Sequence, residues 1–539
     1  MALKHLNGES KTIAGAAVLL GFFSFASRIV GLVRDRILSG EFGAGDILDA
    51  YYAAFKLPDF VFNLLVVGAL SAAFIPLFIK ALQSKEKEAE AWRFSSNVLN
   101  LIGVFSLASA ILMAIFAQPL AGLIAPGFVG EKKELVVAFT RVMLIGECFL
   151  SLSVVFGSVL QGLKRFFLYA TAPIFYNLGI IIGALFLVPI FGPIGLAWGV
   201  VLGTFVHCLI QMIGVFGLGY RYQWVFNFKD RAIVEMIKMT GPRVLGLAVS
   251  QVNIVITTVL ASLLPAGGLT MFNFASNIAY FPIGIIGVSY AVAIFPSLSE
   301  YAETKQIEKL ISAVSSGVRQ VLFLIVPCSV VFLLLRAQIV RVVVGAGKFG
   351  WEETIITADA LALITIGFFA LCLNFLLVRA FFALHDTLTP FIAGLISALV
   401  NVAAAWFFLS RYGVLALGGA MSFSAVVNFI LLWVALRVRL GTLEETKILR
   451  SLAVITVAGL FAGLTIQAVK PLIVEYISLD TFFGVLSQGL IAGGLGLAVY
   501  LAITLVFKLP EAQTFTSALR RKFLRGYQPK ETVPTTTAT

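Results

Sequence analysis

Charged side chains are scarce in this chain: Asp, Glu, Lys and Arg make up 12% of the 539 residues, roughly half the share of a soluble domain. Histidine occurs only as His5, His207 and His385, and the four cysteines (Cys148, Cys208, Cys328, Cys372) lie far apart in apolar surroundings. Neither set has the spacing of metal ligands, so no metal centre is expected and the thiols read as small core hydrophobes. The longer loops, near 118–134, 219–239, 299–310 and 335–354, lack paired carboxylates, a Ser/His/Asp set and a glycine-rich phosphate loop. These absences disfavour an enzyme, and no cofactor is expected.

What fills the chain instead is apolar: 60% of residues are hydrophobic and the mean hydropathy is +1.01. Lipid is then the main solvent, and the spans must be helices or a closed barrel. The apolar stretches are long and continuous rather than alternating about ten at a time, which excludes the barrel. The expectation is an all-α polytopic membrane protein with about 14 transmembrane helices. They lie at 13–38, 49–79, 94–117, 135–162, 167–189, 194–217, 240–263, 269–297, 311–334, 355–383, 389–409, 413–436, 450–469 and 482–506. The first runs too long for a cleavable signal and reads as a span. The first, second and tenth are long enough to be tilted or broken.

Lysine and arginine set the orientation. With the N-terminus in the cytoplasm, 26 of them fall in cytoplasmic segments and seven on the opposite side. Both termini are therefore expected in the cytoplasm, and the net charge of +12 follows from this bias without a nucleic-acid partner. The end, "LRRKFLRGYQPKETVPTTTAT", reads as a basic helix end and a disordered tail suited to anionic headgroups.

An internal repeat divides the spans. "LPDFVFNLLVVGALSAAFIPLF" (57–78) echoes "FPIGIIGVSYAVAIFPSL" (281–298), with Pro76 and Pro296 offset by 220. "GLAWGVV" (195–201) echoes "LALGGAM" (415–421) at the same offset, and "LKRFFLYATAPIFYN" (163–177) weakly echoes "VRAFFALHDTLTPFI" (378–392). Six spans return the chain to its starting side, so the repeat is parallel. The expected organisation is a six-helix lobe over 1–220, a second over 221–440, two extra helices over 441–508, and a tail over 509–539. That layout is typical of alternating-access transporters.

Against this background "SRIVGLVRDRI" (27–37) stands out, since a charge near the bilayer centre costs a few kcal/mol or more. Arg28 and Asp35 are seven residues apart and share a helix face, about 10 Å apart. Arg34 points elsewhere unless Gly31 bends the helix. An ordinary helix end, with arginines snorkelling to headgroups, is one reading. Against it, this end faces away from the cytoplasm, where cations are few, and Arg28 is too deep to snorkel. The other reading is a cationic cavity for an anionic substrate, because a guanidinium grips phosphate or carboxylate bidentately and keeps its charge. Asp35 then orients an arginine, and Arg36 is left as a snorkeller. The second span adds Asp49, Lys56 and Asp59 around Leu57-Pro58, where the proline kinks the helix. Asn277 joins them, because the repeat sets the eighth span opposite the second. Glu147 and Arg141 read as facing a lobe core, and Asp386 of "FFALHDTLTP" as a turn cap.

These residues carry a resemblance. "SRIVGLVRDRILSGEFGAGDILDAYYAAFKLP", followed by "GALSAAFIP" and by "APGF" at 125–128, resembles the MurJ (MviN) family of bacterial lipid II flippases. That family belongs to the multidrug/oligosaccharidyl-lipid/polysaccharide exporter superfamily. The resemblance covers about residues 12–508 and implies two lobes around a central cationic cavity, the last two helices lining a groove for a polyprenyl tail. It implies transport of the undecaprenyl-pyrophosphate-linked peptidoglycan precursor, lipid II, from the cytoplasmic to the outer leaflet of the inner membrane. Cell-wall synthesis proteins are the implied partners. Arg28, Arg34, Asp35, Asp49, Lys56 and Asn277 become the substrate-site residues. The sequence departs from the family where a basic pair is usual (here Phe62-Asn63), where an acid is usual (Val67) and where Asn277 replaces an arginine. No acid lies in 240–263 or 389–409, so sodium coupling is not supported. Two alternatives remain: an exporter of another polyprenyl-linked oligosaccharide, and a non-transporting scaffold of the same fold.

Overall fold

Each of the fourteen apolar stretches lies on helix in the computed structural model, which describes residues 13–67, 73–83 and 88–524. Gly68–Ala72 of the "GALSAAFIP" stretch, the side chain of Val67 and the tail beyond Leu524 lie outside the described residues. No strand occurs among those residues. The helices are α1 (Ile13–Phe42), α2 (Asp46–Ala54), α3 (Lys56–Val61), α4 (Ile75–Leu82), α5 (Glu88–Ile115), α6 (Ala117–Ile124), α7 (Gly130–Gly162) and α8 (Phe166–Ile182). Then come α9 (Val188–Phe191), α10 (Gly195–Phe216), α11 (Arg231–Ser262), α12 (Gly268–Ile283), α13 (Ser289–Glu303), α14 (Ile307–Leu334) and α15 (Arg336–Val343). The chain continues through α16 (Trp351–Ile366), α17 (Phe368–Ala383), α18 (Leu388–Tyr412), α19 (Val414–Leu440), α20 (Glu445–Val474), α21 (Phe482–Val506) and α22 (Pro510–Leu524).

Among the described residues, nine helical runs are long and apolar enough to cross a membrane, and a bent pair makes ten. One of the nine, Phe166–Phe216, holds two of the fourteen stretches, divided by the 3-10 turn Gly192–Ile194. The bent pair is α16 and α17, turned by 45° at Gly367, so the tenth span is broken as its length requires. The second span breaks too, at Phe55 and again in a π-helical turn over Phe62–Val67. The first does not: α1 runs unbroken through Gly31 for 30 residues. Gly31 faces Asn177, and a Cβ there would sit 3.8 Å from Asn177 Oδ1, an ordinary contact.

The echo at offset 220 has a structural counterpart. In the first copy Pro58 on α3 is followed by the π turn Phe62–Val67 and by α4 with Pro76. In the second, Pro282 near the end of α12 is followed by the π turn Gly284–Val288 and by α13 with Pro296. Proline removes an i→i−4 hydrogen bond, and the same defect recurs at the same place in both copies. Contacts nevertheless divide the chain differently from the repeat. One compact unit runs to Phe281 and adds Arg336–Gly367 and Leu388–Asn428; the other holds Pro282–Leu335, Phe368–Thr387 and the chain from Phe429 onward.

In the first unit α7, α8 and α10 pack on one another and α1 lies on α8. The α8–α10 contact is backbone on backbone: a Cβ on Gly179 would meet Gly203 Cα at 2.2 Å, and one on Gly183 would meet Gly199 Cα at 2.5 Å. Small residues allow such approach where lipid gives helices no hydrophobic drive to associate. Phe74, Phe78, Trp92, Phe94 and Phe156 fill the core where α4, α5 and α7 meet. Glu147 is buried in this unit with Ser151 donating to it, and Arg141 donates to Ala114 O. In the second unit α14 packs against α17 and α20, and α20 against α21. Tyr500 donates to Phe323 O, and Arg319 pairs with Glu511. Asp386, just before α18, accepts from Arg439 Nη1 at 2.7 Å.

Candidate functional site

The charged end of α1 anchors a chain of hydrogen bonds. Arg34 directs Nε (3.0 Å) and Nη2 (2.7 Å) at Asp35 Oδ1, and its Nη1 donates to Asn177 Oδ1 on α8 at 2.8 Å. Asp35, 3% exposed, accepts from Asn277 Nδ2 on α12 at 3.3 Å through its other oxygen. Asn177 in turn donates to Pro173 O, the carbonyl that lies four residues back in its own helix. The four residues thus join α1, α8 and α12. Arg34, Asp35 and Asn277 are three of the expected site residues; Asn177 was not among them. Its only sequence signal is a polar residue four positions after Pro173 in an apolar helix.

Arg28 stands apart. It is exposed, and its Nη1 reaches only Tyr280 O, at 3.4 Å. Its neighbours on the same half of α1, Val18, Phe22, Phe25 and Ile29, are exposed as well, whereas Asp35, Leu38 and Ser39 are buried. Lys56 is half-buried, makes no hydrogen bond among the described residues, and has Asp59 as its charged neighbour.

Asp49 occupies a second and different locus. It is 1% exposed, and every contact of its carboxylate is with an element distant in sequence. Oδ1 accepts from Thr270 N (2.9 Å) and Thr270 Oγ1 (2.7 Å), while Oδ2 accepts from Gly267 N (2.8 Å) and Lys132 Nζ (2.7 Å). Gly267 and Thr270 are the N-cap and third residues of α12, whose first amides have no intrahelical acceptor. Asp49 therefore does from another segment what an N-cap carboxylate does locally, with the favourable charge for a helix N-terminus. Lys132 also pairs with Asp46 at 2.8 Å and lies over the Phe128 ring of "APGF" at 4.0 Å. Gly127 of that motif donates to Ser262 Oγ at the end of α11.

A third set of bonds ends α1. Arg36 Nη1 donates to Val342 O (2.6 Å) and Arg341 O (3.2 Å), Ser39 Oγ to Val344 O (2.6 Å), and Lys348 N to Gly40 O (2.9 Å). The expectation that Arg36 snorkels is overturned: the last carbonyls of α15 lack intrahelical donors and take its guanidinium. Beneath these ties lies a buried aromatic chain, with Tyr52 against Phe274 and Phe274 against Phe349 at centroid distances of 5.9 and 5.8 Å. All three sets lie within the first unit.

Gly267 is fixed by its backbone. Its φ is +86°, and a Cβ would sit 2.4 Å from Ala44 O. Gly267→Ala is expected to destabilise the protein by about 2–3 kcal/mol from backbone strain and the clash. A lowered Tm in detergent checks this, and an unchanged Tm contradicts it.

Helical spans that carry an arginine beside a buried aspartate, with proline-broken helices built as a repeat, fit a membrane transporter. The comparisons agree. Among solved structures, an inward-facing multidrug resistance MATE family transporter of the MOP superfamily matches with a TM-score of 0.64 at 17% identity, covering 80% of this chain and 99% of that one. A structure of lipid II flippase MurJ in an inward closed conformation matches with a TM-score of 0.75 at 25% identity, covering 94% of this chain and all of that one. A probable lipid II flippase MurJ of Thermotoga maritima is 32% identical over 410 residues, 76% of this chain and 82% of the relative. One of Rhizobium tropici is 29% identical over 522 residues, 94% and 96% of the two chains. The family model described as lipid II flippase MurJ matches residues 38–486. The chain belongs to the MurJ lipid II flippase family.

Proposed function

We propose that this chain flips lipid II from the cytoplasmic to the outer leaflet by alternating access. The observation that carries the reading is the Arg34–Asp35 pair on a membrane helix of a MurJ-family chain, its carboxylate buried and tied to α12 through Asn277, its guanidinium partly exposed. Arg28 and Lys56, which make few contacts of their own, attract the pyrophosphate. Arg34 then exchanges one carboxylate for the pyrophosphate oxygens, which offer more charge and a bidentate fit. Losing Arg34 leaves Asp35 buried without its cation, a costly state that a rearrangement of Asp35 and its remaining donor Asn277 relieves. Because α12 is held at Asn277 by Asp35 and at its N-terminus by Asp49, substrate occupancy is communicated to the helix that closes the outer end. Asp49 thus acts in closure and not in anion binding.

The same reading puts both termini in the cytoplasm and makes the outer ends of α1 and α2 the closed side. The lobes are 1–220 and 221–440, with α20 and α21 beside the lipid tail and cell-wall synthesis proteins as partners. Membrane potential, at about 2.3 kcal/mol per charge per 100 mV, biases an arginine-bearing carrier. The test is rescue: expression in cells depleted of their own lipid II flippase restores growth. Failure at normal expression overturns the proposal, and restored export of a different polyprenyl-linked glycan then favours the related exporter.

A further inference from the structure

The segment between α10 and α11 is neither helix nor free loop. Residues 220–227 have no regular secondary structure and lie along α5, clamped by three polar side chains, with a tight turn at Trp224 where Val225 N donates to Gln223 O at 2.9 Å. Asn97 donates to Asn227 O (3.0 Å) and accepts from Asn227 N (2.9 Å). Asn100 donates to Val225 O (2.9 Å) and accepts from Tyr222 Oη (2.8 Å). Ser96 Oγ accepts from Gln223 N (3.1 Å) and shares a hydrogen bond with Tyr220 Oη (2.8 Å). Gln223 and Val225 are partly buried on the clamp, and the aromatic residues on either side of them are exposed. Tyr222 keeps its hydroxyl on Asn100, while Trp224, Phe226 and Phe228 are exposed by 85%, 48% and 60%. Phe226 and Phe228 touch edge to face at 5.2 Å, which places them on one side.

An outward row of three aromatics in water is costly, and monomers rarely display such patches without a partner. The position of the clamp identifies the partner. On a helix, Asn97 and Asn100 share a stripe with Val104, Leu107 and Ile111, and those three are exposed apolar residues on a membrane helix, where the solvent is lipid. Asn100 precedes Val104 by about 6 Å of helix rise. The strap therefore continues the lipid-facing stripe of α5 at the level where that stripe turns polar. Arg221, Lys229 and Arg231 flank the aromatics in sequence. Aromatic rings with flanking cations match the interface of an anionic leaflet.

We propose that residues 222–228 form a membrane-interface strap, whose aromatic row embeds in the headgroup region of the leaflet beside the start of α5. The clamp on Ser96, Asn97 and Asn100 holds the strap to the first helices, so the lipid surface fixes the point where the chain enters α11.

The test places a nitroxide on single cysteines at Trp224, Phe226 and Phe228, with Arg221 and Lys229 as references. The protein is the full chain, with its native cysteines replaced, in vesicles of phosphatidylethanolamine and phosphatidylglycerol. Collision with oxygen relative to a water-soluble nickel chelate is expected to be severalfold higher at the three aromatic positions than at the references. Asn97→Ala/Asn100→Ala, which removes the clamp, is expected to erase that contrast. Equal ratios throughout the wild-type strap overturn the proposal, because the row then faces water. Protection from both reagents also overturns it, because the row is then covered by protein.

Discussion

Replacing Arg34 with alanine is expected to abolish rescue of flippase-depleted cells, with lipid II transport falling at least 100-fold. The guanidinium uses Nε, Nη1 and Nη2 in the resting state, and the same donors meet the pyrophosphate. Two charge-assisted hydrogen bonds at about 1.5–3 kcal/mol each correspond to roughly two to four decades of rate. Arg34→Ala alone also strands Asp35, and breaking a buried pair costs about 3–5 kcal/mol, so lost transport could reflect lost protein. Arg34→Ala/Asp35→Ala separates the two, because it removes both charges at once. Near-normal protein level with no rescue is the expected result. Rescue by that double variant makes the pair structural and removes Arg34 from the substrate site. Arg34→Lys keeps the charge but loses the planar fork, and falls between.

The second large effect is at Asp49. Asp49→Ala leaves the first amides of α12 without their acceptor and takes from Lys132 Nζ one of its two carboxylates, Asp46 being the other, at a cost of about 3–5 kcal/mol to the closed arrangement. The closed-to-open ratio then falls by roughly two to four decades. Leu48, fully buried on α2, reports this directly: in Leu48→Cys, free of native thiols, labelling by a membrane-impermeant reagent from outside is expected to quicken by about that factor. Asp49→Asn keeps an oxygen for Thr270 and gives a smaller increase. Unchanged labelling in Asp49→Ala shows that Asp49 holds nothing shut.

How far these sites can be read from the sequence depends on the separation of their parts. Arg34 and Asp35 are adjacent, and a charged couple inside an apolar run announces itself; so does Pro58, which does break its helix. The role of Asp49 could not be read, because its partners lie 83 residues away at Lys132 and 218–221 away at Gly267 and Thr270. Nothing local distinguishes a carboxylate that binds substrate from one that caps a remote helix. Arg36 misleads for the same reason: its acceptors are backbone carbonyls, which no side-chain pattern reveals. Asn277 was found through the repeat, which supplies long-range information, and Asn177 was missed because the repeat does not point to it. The fourteen stretches were legible because lipid imposes length and apolarity on each one. The grouping of helices was not, because the ties at Asp35, Arg36 and Asp49 join segments the repeat assigns to different lobes.

The central claim is that this chain carries lipid II across the membrane, and the most direct measurement is the amount reaching the outer leaflet. Cells depleted of their own flippase are given this chain, and lipid II open to a cleaving enzyme added from outside is counted. Restored cleavage with the wild-type chain, and none with Arg34→Ala/Asp35→Ala at equal protein level, is the result predicted. No cleavable lipid II with well-expressed wild-type chain contradicts the account.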